Sequence, residues 1–325
     1  MTDTPPRLKI ALAFAAVYLI WGSTYLGIRF AVETLPPFLM AGARFTIAGV
    51  LLYSWMRLRG EPRPLRMHWW SAAVIGFLLL LIGNGSVSWA EQVVPSGITA
   101  LLVAGSPLWF VGLEWAHRGI RPSVGVFVGL ALGTLGIVVL VDPADLVGGE
   151  DVNLLGASVL VVASISWAAG SLYSRKANLP SSPMIATGME MLTGGAALLL
   201  LSIISGELNH FQLSNVSVRS LVSVAYLTVF GSLIAFTSYI WLLRVTTPAL
   251  ASTYAYVNPV IAVFIGWLAA DEALNERVLL AASLIVAAVA AITSLGTRRS
   301  TRTMKHLHLK ESTGDSADSA EQTDK

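Results

Sequence analysis

Two stretches decide the fold: IALAFAAVYLIWGSTYLGI at 10–28 and LLGASVLVVASISWAAGSLYS at 154–174. Neither holds a charged residue, and an offset of 146 lays Trp21 of the first on Trp167 of the second. A hydrocarbon layer about 30 Å thick needs about 20 apolar residues per helix, so each stretch is long enough to cross. The same offset carries Arg29 onto Arg175, Arg44 onto Glu190 and Gly49 onto Gly195. An offset of 153 carries Glu91 onto Arg244 and Pro95 onto Pro248, and one of 158 carries Gly125, Gly129 and Gly133 onto Ser283, Ala287 and Ala291. An offset that grows slowly along the chain is the trace of duplication followed by loop insertion.

Eight more apolar stretches complete the pattern, at 37–56, 69–89, 96–115, 122–141, 183–205, 219–243, 249–269 and 276–296. They are separated by clusters of prolines and charges such as Pro36-Pro37, Glu61-Pro62-Arg63-Pro64, Arg121-Pro122, Asp142-Pro143 and Pro180 to Pro183. The 325 residues are 55% hydrophobic and 12% charged, with a mean hydropathy of +0.70. A soluble domain carries about 25% charge. Of the 40 Asp, Glu, Lys and Arg residues, 11 lie between Arg298 and Lys325, which leaves 29 for the other 297 residues. The expected class is an all-α polytopic membrane protein with ten transmembrane helices. The first stretch is too long for a signal peptide, lacks a small-residue cleavage site and is followed by nine more, so it is read as a helix.

Basic residues orient the bundle. With the N-terminus in the cytoplasm, 17 of 21 Lys and Arg residues fall inside, Arg29, Arg219 and Arg277 fall outside, and Arg44 lies within a helix. The loop at 142–153 has four acids and no base, as an outer loop should. Trp55, Trp69, Trp70, Trp89, Trp115, Trp241 and Trp267 fall near predicted helix ends, where an amphipathic ring is stable. Both termini are therefore expected in the cytoplasm: a short segment at 1–8, and a polar tail at 298–325 that runs basic then acidic and reads as disordered. Five helices per half is an odd number, so the second half, 154–297, must enter from the side opposite to the first, 9–145. Such inverted five-helix repeats mark secondary transporters, whose solute site lies near the midplane between the halves.

Several activities are excluded by residue inventory. There is no cysteine, hence no disulfide, zinc knuckle or thiolate nucleophile. No predicted span contains His: His68, His117, His210, His306 and His308 are all in loops or the tail. Neither a His proton relay nor intramembrane metal ligation is available, and a membrane serine protease would lack its base. The His-Glu-x-x-His pattern, paired Asp deep in spans and a phosphate-binding Gly-x-x-x-x-Gly-Lys-Ser/Thr loop are all missing. The chain reads as no enzyme, with no cofactor, no metal and no nucleic-acid partner; its partners are the lipid bilayer and a small-molecule solute.

Polar groups inside the spans are the candidate pathway. Arg44 lies seven residues beyond Pro37 and Glu190 seven beyond Pro183. At 1.5 Å per residue each is about 10 Å deep, from opposite faces. One reading makes them a charged pair at the edge of a central cavity; the other makes them a buttress between helices. Trp21, Ser23 and Tyr25 in the run Trp-Gly-Ser-Thr-Tyr, and Trp167 and Ser171 in the second half, read as cavity lining or as helix packing. Asn84, in Gly83-Asn84-Gly85, is a buried amide beside freed backbone, and Tyr254, Tyr256, Asn258 and Pro259 form a second polar, kinked patch. Gly125, Gly129 and Gly133 make a groove for close helix approach. Glu91, Glu114, Arg175, Arg244, Asp271 and Glu272 lie near helix ends and read as interfacial anchors.

These features together resemble the EamA family of the drug/metabolite transporter superfamily, in its YedA-like branch of bacterial inner-membrane exporters. The resemblance rests on Trp21-Gly22-Ser23-Thr24-Tyr25, Pro36-Pro37 followed by Ala43-Arg44-Phe45, Gly83-Asn84-Gly85, Pro95-Ser96-Gly97 and Tyr254 through Pro259, and covers about residues 8–297. It implies a carrier that exports small metabolites, amino acids or toxic analogues among them, across the inner (plasma) membrane without ATP. The family often has an acid thirteen residues past a proline of the fourth and ninth helices. Here Glu272 follows Pro259, but Ile120 stands at the corresponding place after Pro107. The expected function is efflux of amino acids, their analogues or drug-like solutes by alternating access. Proton antiport through Glu190 and uncoupled facilitated transport are both open at this point, as are oligomeric state, solute identity and a receptor or scaffold role.

Overall fold

The computed structural model describes residues 6–94, 99, 102–119, 121–141, 153–270, 276–277 and 279–293. The acidic loop, Pro95-Ser96-Gly97, Ile120, Asp271, Glu272 and the tail lie outside the described residues. The described regular structure is helical, with no strand: α1 (Arg7–Val32), α2 (Pro37–Leu58), α3 (Arg66–Ala90), α4 (Ser106–Arg118), α5 (Val124–Val141), α6 (Leu154–Ser174), α7 (Pro183–Ile204), α8 (Val218–Val245), α9 (Tyr254–Ala270) and α10 (Leu279–Thr293). Six of them, α1, α2, α3, α6, α7 and α8, are long and apolar enough to cross a membrane. The chain is a polytopic membrane protein.

Helix ends follow local chemistry. Pro37 and Pro183 open α2 and α7, where a missing N–H costs nothing. Gly60, Gly119 and Gly206 close α2, α4 and α7 with φ of 88°, 67° and 76°, left-handed values that penalise any Cβ. The start of α2 also has a carboxylate cap. The Phe38 and Leu39 N–H groups donate to Glu207 Oε1 and Oε2 at 3.1 and 2.9 Å, which fills two of the four orphan donors at a helix N-terminus. Glu207→Ala is expected to cost about 1–2 kcal/mol, read as a lower midpoint when the detergent-solubilised protein is heated. An unchanged midpoint would remove the cap from the account of α2.

Packing repeats itself with the halves exchanged. α3 lies on α6 and α7, and α8 lies on α1 and α2; α1 meets α9, and α6 meets α4. At the centre α2 runs along α7. A Cβ at Gly42 would meet Leu199 N at 2.8 Å and one at Gly49 would meet Leu192 N at 2.8 Å. Conversely, a Cβ at Gly188 would meet Tyr53 N at 3.0 Å and one at Gly195 would meet Thr46 N at 2.7 Å. Rising numbers on α2 face falling numbers on α7, so the two helices are antiparallel. The four contacts also interchange under the offset of 146. The predicted glycine groove of α5 is occupied in the same manner: Gly129 faces Ile292 of α10 and Gly133 carries the Tyr256 ring of α9.

Two helices depart from α geometry. Gly76–Gly85 in α3 and Leu227–Phe236 in α8 are π-helical, ten residues each. They are 151 positions apart, between the offsets of 146 and 153 read from the sequence. A π turn widens the helix and spoils part of its hydrogen-bond ladder, and side chains of the other half fill the gaps. Ser166 Oγ donates to Leu78 O at 2.8 Å, and Trp21 Nε1 donates to Gly231 O at 3.2 Å.

Candidate functional site

Where the two π-helical segments face the first helices of the opposite halves, a cluster of rings forms. Trp21 stands 5.7 Å from Trp167 and 5.0 Å from both Tyr239 and Tyr254, centroid to centroid. Trp167 lies 5.6 Å from Tyr239, which lies 5.4 Å from Tyr254. Trp167 fits because Gly83 has no side chain: a Cβ there would come within 2.8 Å of the indole. Its Nε1 donates to Tyr239 OH at 2.9 Å, and Tyr239 OH lies 2.7 Å from Ser171 Oγ. Ser171 in turn donates to Trp167 O at 2.7 Å. With Tyr239 donating to Ser171, every proton in this chain has an acceptor, so the rings are held in one orientation.

Three of the rings, Trp21, Trp167 and Tyr254, line a cavity with about 750 Å³ of empty space, mouth included. Both halves contribute to it: Trp21, Tyr25, Arg44 and Asn84 from the first, Trp167, Gly231, Tyr254 and Asn258 from the second. Among the described residues Arg44 is its only charged lining residue. Although just 4% exposed, Arg44 has no hydrogen-bond partner at Nε or Nη1. Nη2 reaches Asn84 Oδ1 at 3.4 Å, and the guanidinium sits 4.2 Å above the Phe45 ring. Asn258, oriented with its amide nitrogen toward carbonyls, donates to Tyr18 O at 3.3 Å and Tyr254 O at 3.0 Å, and ties α9 to α1.

Of the residues singled out from sequence, Trp21, Tyr25, Arg44, Asn84, Trp167, Tyr254 and Asn258 line this cavity, and Ser23, Ser171, Tyr256 and Glu190 do not. Ser23 accepts from Tyr226 OH at 2.5 Å while donating to Ile20 O, a contact between α1 and α8. Ser171 acts behind the rings, and Tyr256 is fully buried against α5. Tyr239 and Phe236 were not singled out. Their signal was weak: an aromatic within an apolar span reads as lipid-facing or core until a partner is known.

Arg44 and Glu190 do not face each other across one chamber. Arg44 and the Glu91 carboxylate attract one another, although no ion pair within 4 Å joins them among the described residues. Glu91 lies just past the end of α3 with Oε2 enclosed and unbonded. That enclosure raises its pKa to about 8, against the opposing pull of Arg29 and Arg44. Glu190 is 0% exposed, has neither oxygen hydrogen-bonded, and is attracted by Arg244 on the last turn of α8. Arg244 Nη1 donates to Ser181 O at 3.5 Å and Nη2 has no partner. Each half thus carries one cation–anion couple on its second and third helices, with the signs interchanged. Arg175, read as an interfacial anchor, donates to Leu243 O and Thr246 O at 2.8 and 2.6 Å, and so caps the end of α8.

Known proteins agree with these features. The model of the EamA-like transporter family matches the chain twice, over residues 8–142 and 154–294. The uncharacterized inner membrane transporter YedA of Escherichia coli strain K12 is 44% identical over 283 residues, which cover 86% of this chain and 89% of that protein. The uncharacterized transporter YoaV of Bacillus subtilis strain 168 is 24% identical over 86% of this chain and 94% of its own. One crystal structure, 22% identical in sequence, superimposes with a TM-score of 0.73 over 90% of this chain and 98% of that one, and shares the fold. With the family pattern covering both halves and a relative of this identity along most of its length, the chain belongs to the EamA-like transporter family.

Proposed function

We propose that this chain is a secondary transporter of the inner membrane that exports small metabolites by alternating access. Its machinery is a pair of inverted five-helix repeats, 9–145 and 154–297, with ten spans and both termini in the cytoplasm. The observation that carries the reading is a cavity lined by both halves beside a seam of antiparallel, offset-related helices. Two nearly equivalent halves can rock to open such a chamber to either face at little difference in energy. The double match to one family model supports the same duplication. The solutes are small: amino acids, their analogues or drug-like molecules of similar bulk.

Glu190 is the group that takes up and releases a proton in this cycle, because it is buried without a hydrogen-bond partner and faces one cation, away from the cavity. The test is flux in proteoliposomes, using solutes enriched outside cells that express the chain relative to cells that lack it. An imposed pH gradient is expected to accelerate wild-type efflux, and Glu190→Gln to lose that acceleration while downhill exchange persists. Indifference of the wild type to the gradient would replace antiport by uncoupled facilitated transport. If no enriched solute crosses the membrane at all, the carrier reading falls, and a receptor or scaffold role takes its place.

A further inference from the structure

Among the described residues the cavity is lined by a base and no acid: its one charged group there is the Arg44 guanidinium, with Nε and Nη1 unpartnered at 4% exposure. The remaining lining is neutral, and Glu190, the acid paired with it by sequence offset, stays outside. A buried cation with no counter-ion in contact costs several kcal/mol, because water has been removed and no hydrogen-bonding anion has replaced it. Glu91, the acid that attracts it, makes no ion pair with it. Asn84 and the Phe45 face fix the plane of the guanidinium without neutralising it. Trp21, Trp167 and Tyr254 offer flat apolar surface, and the described lining has no carboxylate for an ammonium.

We propose that the cavity binds a monocarboxylate: its carboxylate docks on the guanidinium of Arg44, and its flat apolar body lies against Trp21, Trp167 and Tyr254. The assignment rests on the transporter reading and narrows its solute class, from amino acids, their analogues and drug-like molecules, to acids that lack the α-ammonium. An anion with one negative charge completes the site; a second charge of either sign would be buried without a partner. A guanidinium suits a carboxylate because its N–H groups match the two oxygens in geometry. An added α-ammonium would be desolvated beside an uncompensated cation, which disfavours a zwitterion relative to the simple acid.

Calorimetric titration of the purified full-length protein in lipid nanodiscs tests this with three probes that differ in one group: 3-phenylpropanoate, 3-phenylpropanamide and phenylalanine. The acid is expected to bind about tenfold or more tightly than either of the others, about 1.4 kcal/mol. Arg44→Gln is expected to bind acid and amide alike, and Arg44→Lys, which keeps the charge, to retain the preference. Equal affinity of the wild type for acid and amide, or tighter binding of phenylalanine, would overturn the assignment. It would also fall if Arg44→Gln kept the preference, or if sodium chloride alone bound saturably and displaced the acid, since the site would then serve an inorganic anion. If Arg44→Gln does not fold, the wild-type comparison and Arg44→Lys still decide. Equilibrium binding needs no turnover. Acid binding without flux therefore sinks the carrier reading and leaves the site, whereas flux of neutral solutes without acid preference does the reverse.

Discussion

Gly49→Leu is expected to abolish the folded bundle, not merely loosen it. A Cβ at that position would stand 2.8 Å from Leu192 N and 3.0 Å from Gly188 O, and neither backbone atom can swing aside. In lipid, where burial of apolar surface drives little helix association, close packing is the main attraction between helices. Pushing α2 off α7 therefore removes the main contact between the halves. Gly195→Leu, whose Cβ would meet Thr46 N at 2.7 Å, should behave alike. The smaller change Gly49→Ala is expected to cost about 1–3 kcal/mol. The check is the fraction of monodisperse protein that survives heating, by size-exclusion chromatography, with Gly112→Ala as the control, since nothing lies within 4 Å of a Cβ there. Wild-type survival of Gly49→Leu would show that the seam does not hold the halves together.

Trp167→Ala carries the next largest effect, a loss of about 3–5 kcal/mol by the measure of other large-to-small core changes. The indole contacts Trp21, Tyr239 and Phe236, covers Gly83, and supplies the hydrogen bond that starts the Tyr239–Ser171 chain. Its removal joins the void to the cavity and frees three rings to turn. Trp167→Phe keeps most of the area and loses only the N–H, so a drop of about 1 kcal/mol is expected. Thermal midpoints of the three proteins in one detergent rank them. If Trp167→Ala and Trp167→Phe fell equally, the hydrogen bond rather than packing would be the main contribution.

How far the sequence could be read depended on which physical term it encodes. Span limits are set by apolar length and helix breakers, and both are local: 154–174 is the observed α6, 37–56 became Pro37–Leu58, and 10–28 became Arg7–Val32. Where prolines sit inside a span, the boundaries moved. The stretch at 249–269 begins with a separate turn, Pro248–Ala251, before Tyr254, and the stretch at 96–115, of which residues 96–98, 100 and 101 lie outside the described residues, has a helix from Ser106 with Pro107 in its first turn. The π-helical segments were illegible, because a widened turn needs room rather than a particular residue. Ion pairing was illegible for a geometric reason. A match by offset carries no distance, so it does not say which side chains meet. Trp21 and Trp167 touch, and Gly49 and Gly195 lie along the same seam; Arg44 and Glu190 instead find Glu91 and Arg244.

The glycine line of α2 and α7 has one mechanical consequence. Main chain rests on main chain at four places there, so sliding either rod lengthwise drives the next residue's Cβ into an amide, at Thr46 or at Leu192. The pair is keyed against lengthwise slip, and the clearance of that fit is narrower than one methyl group.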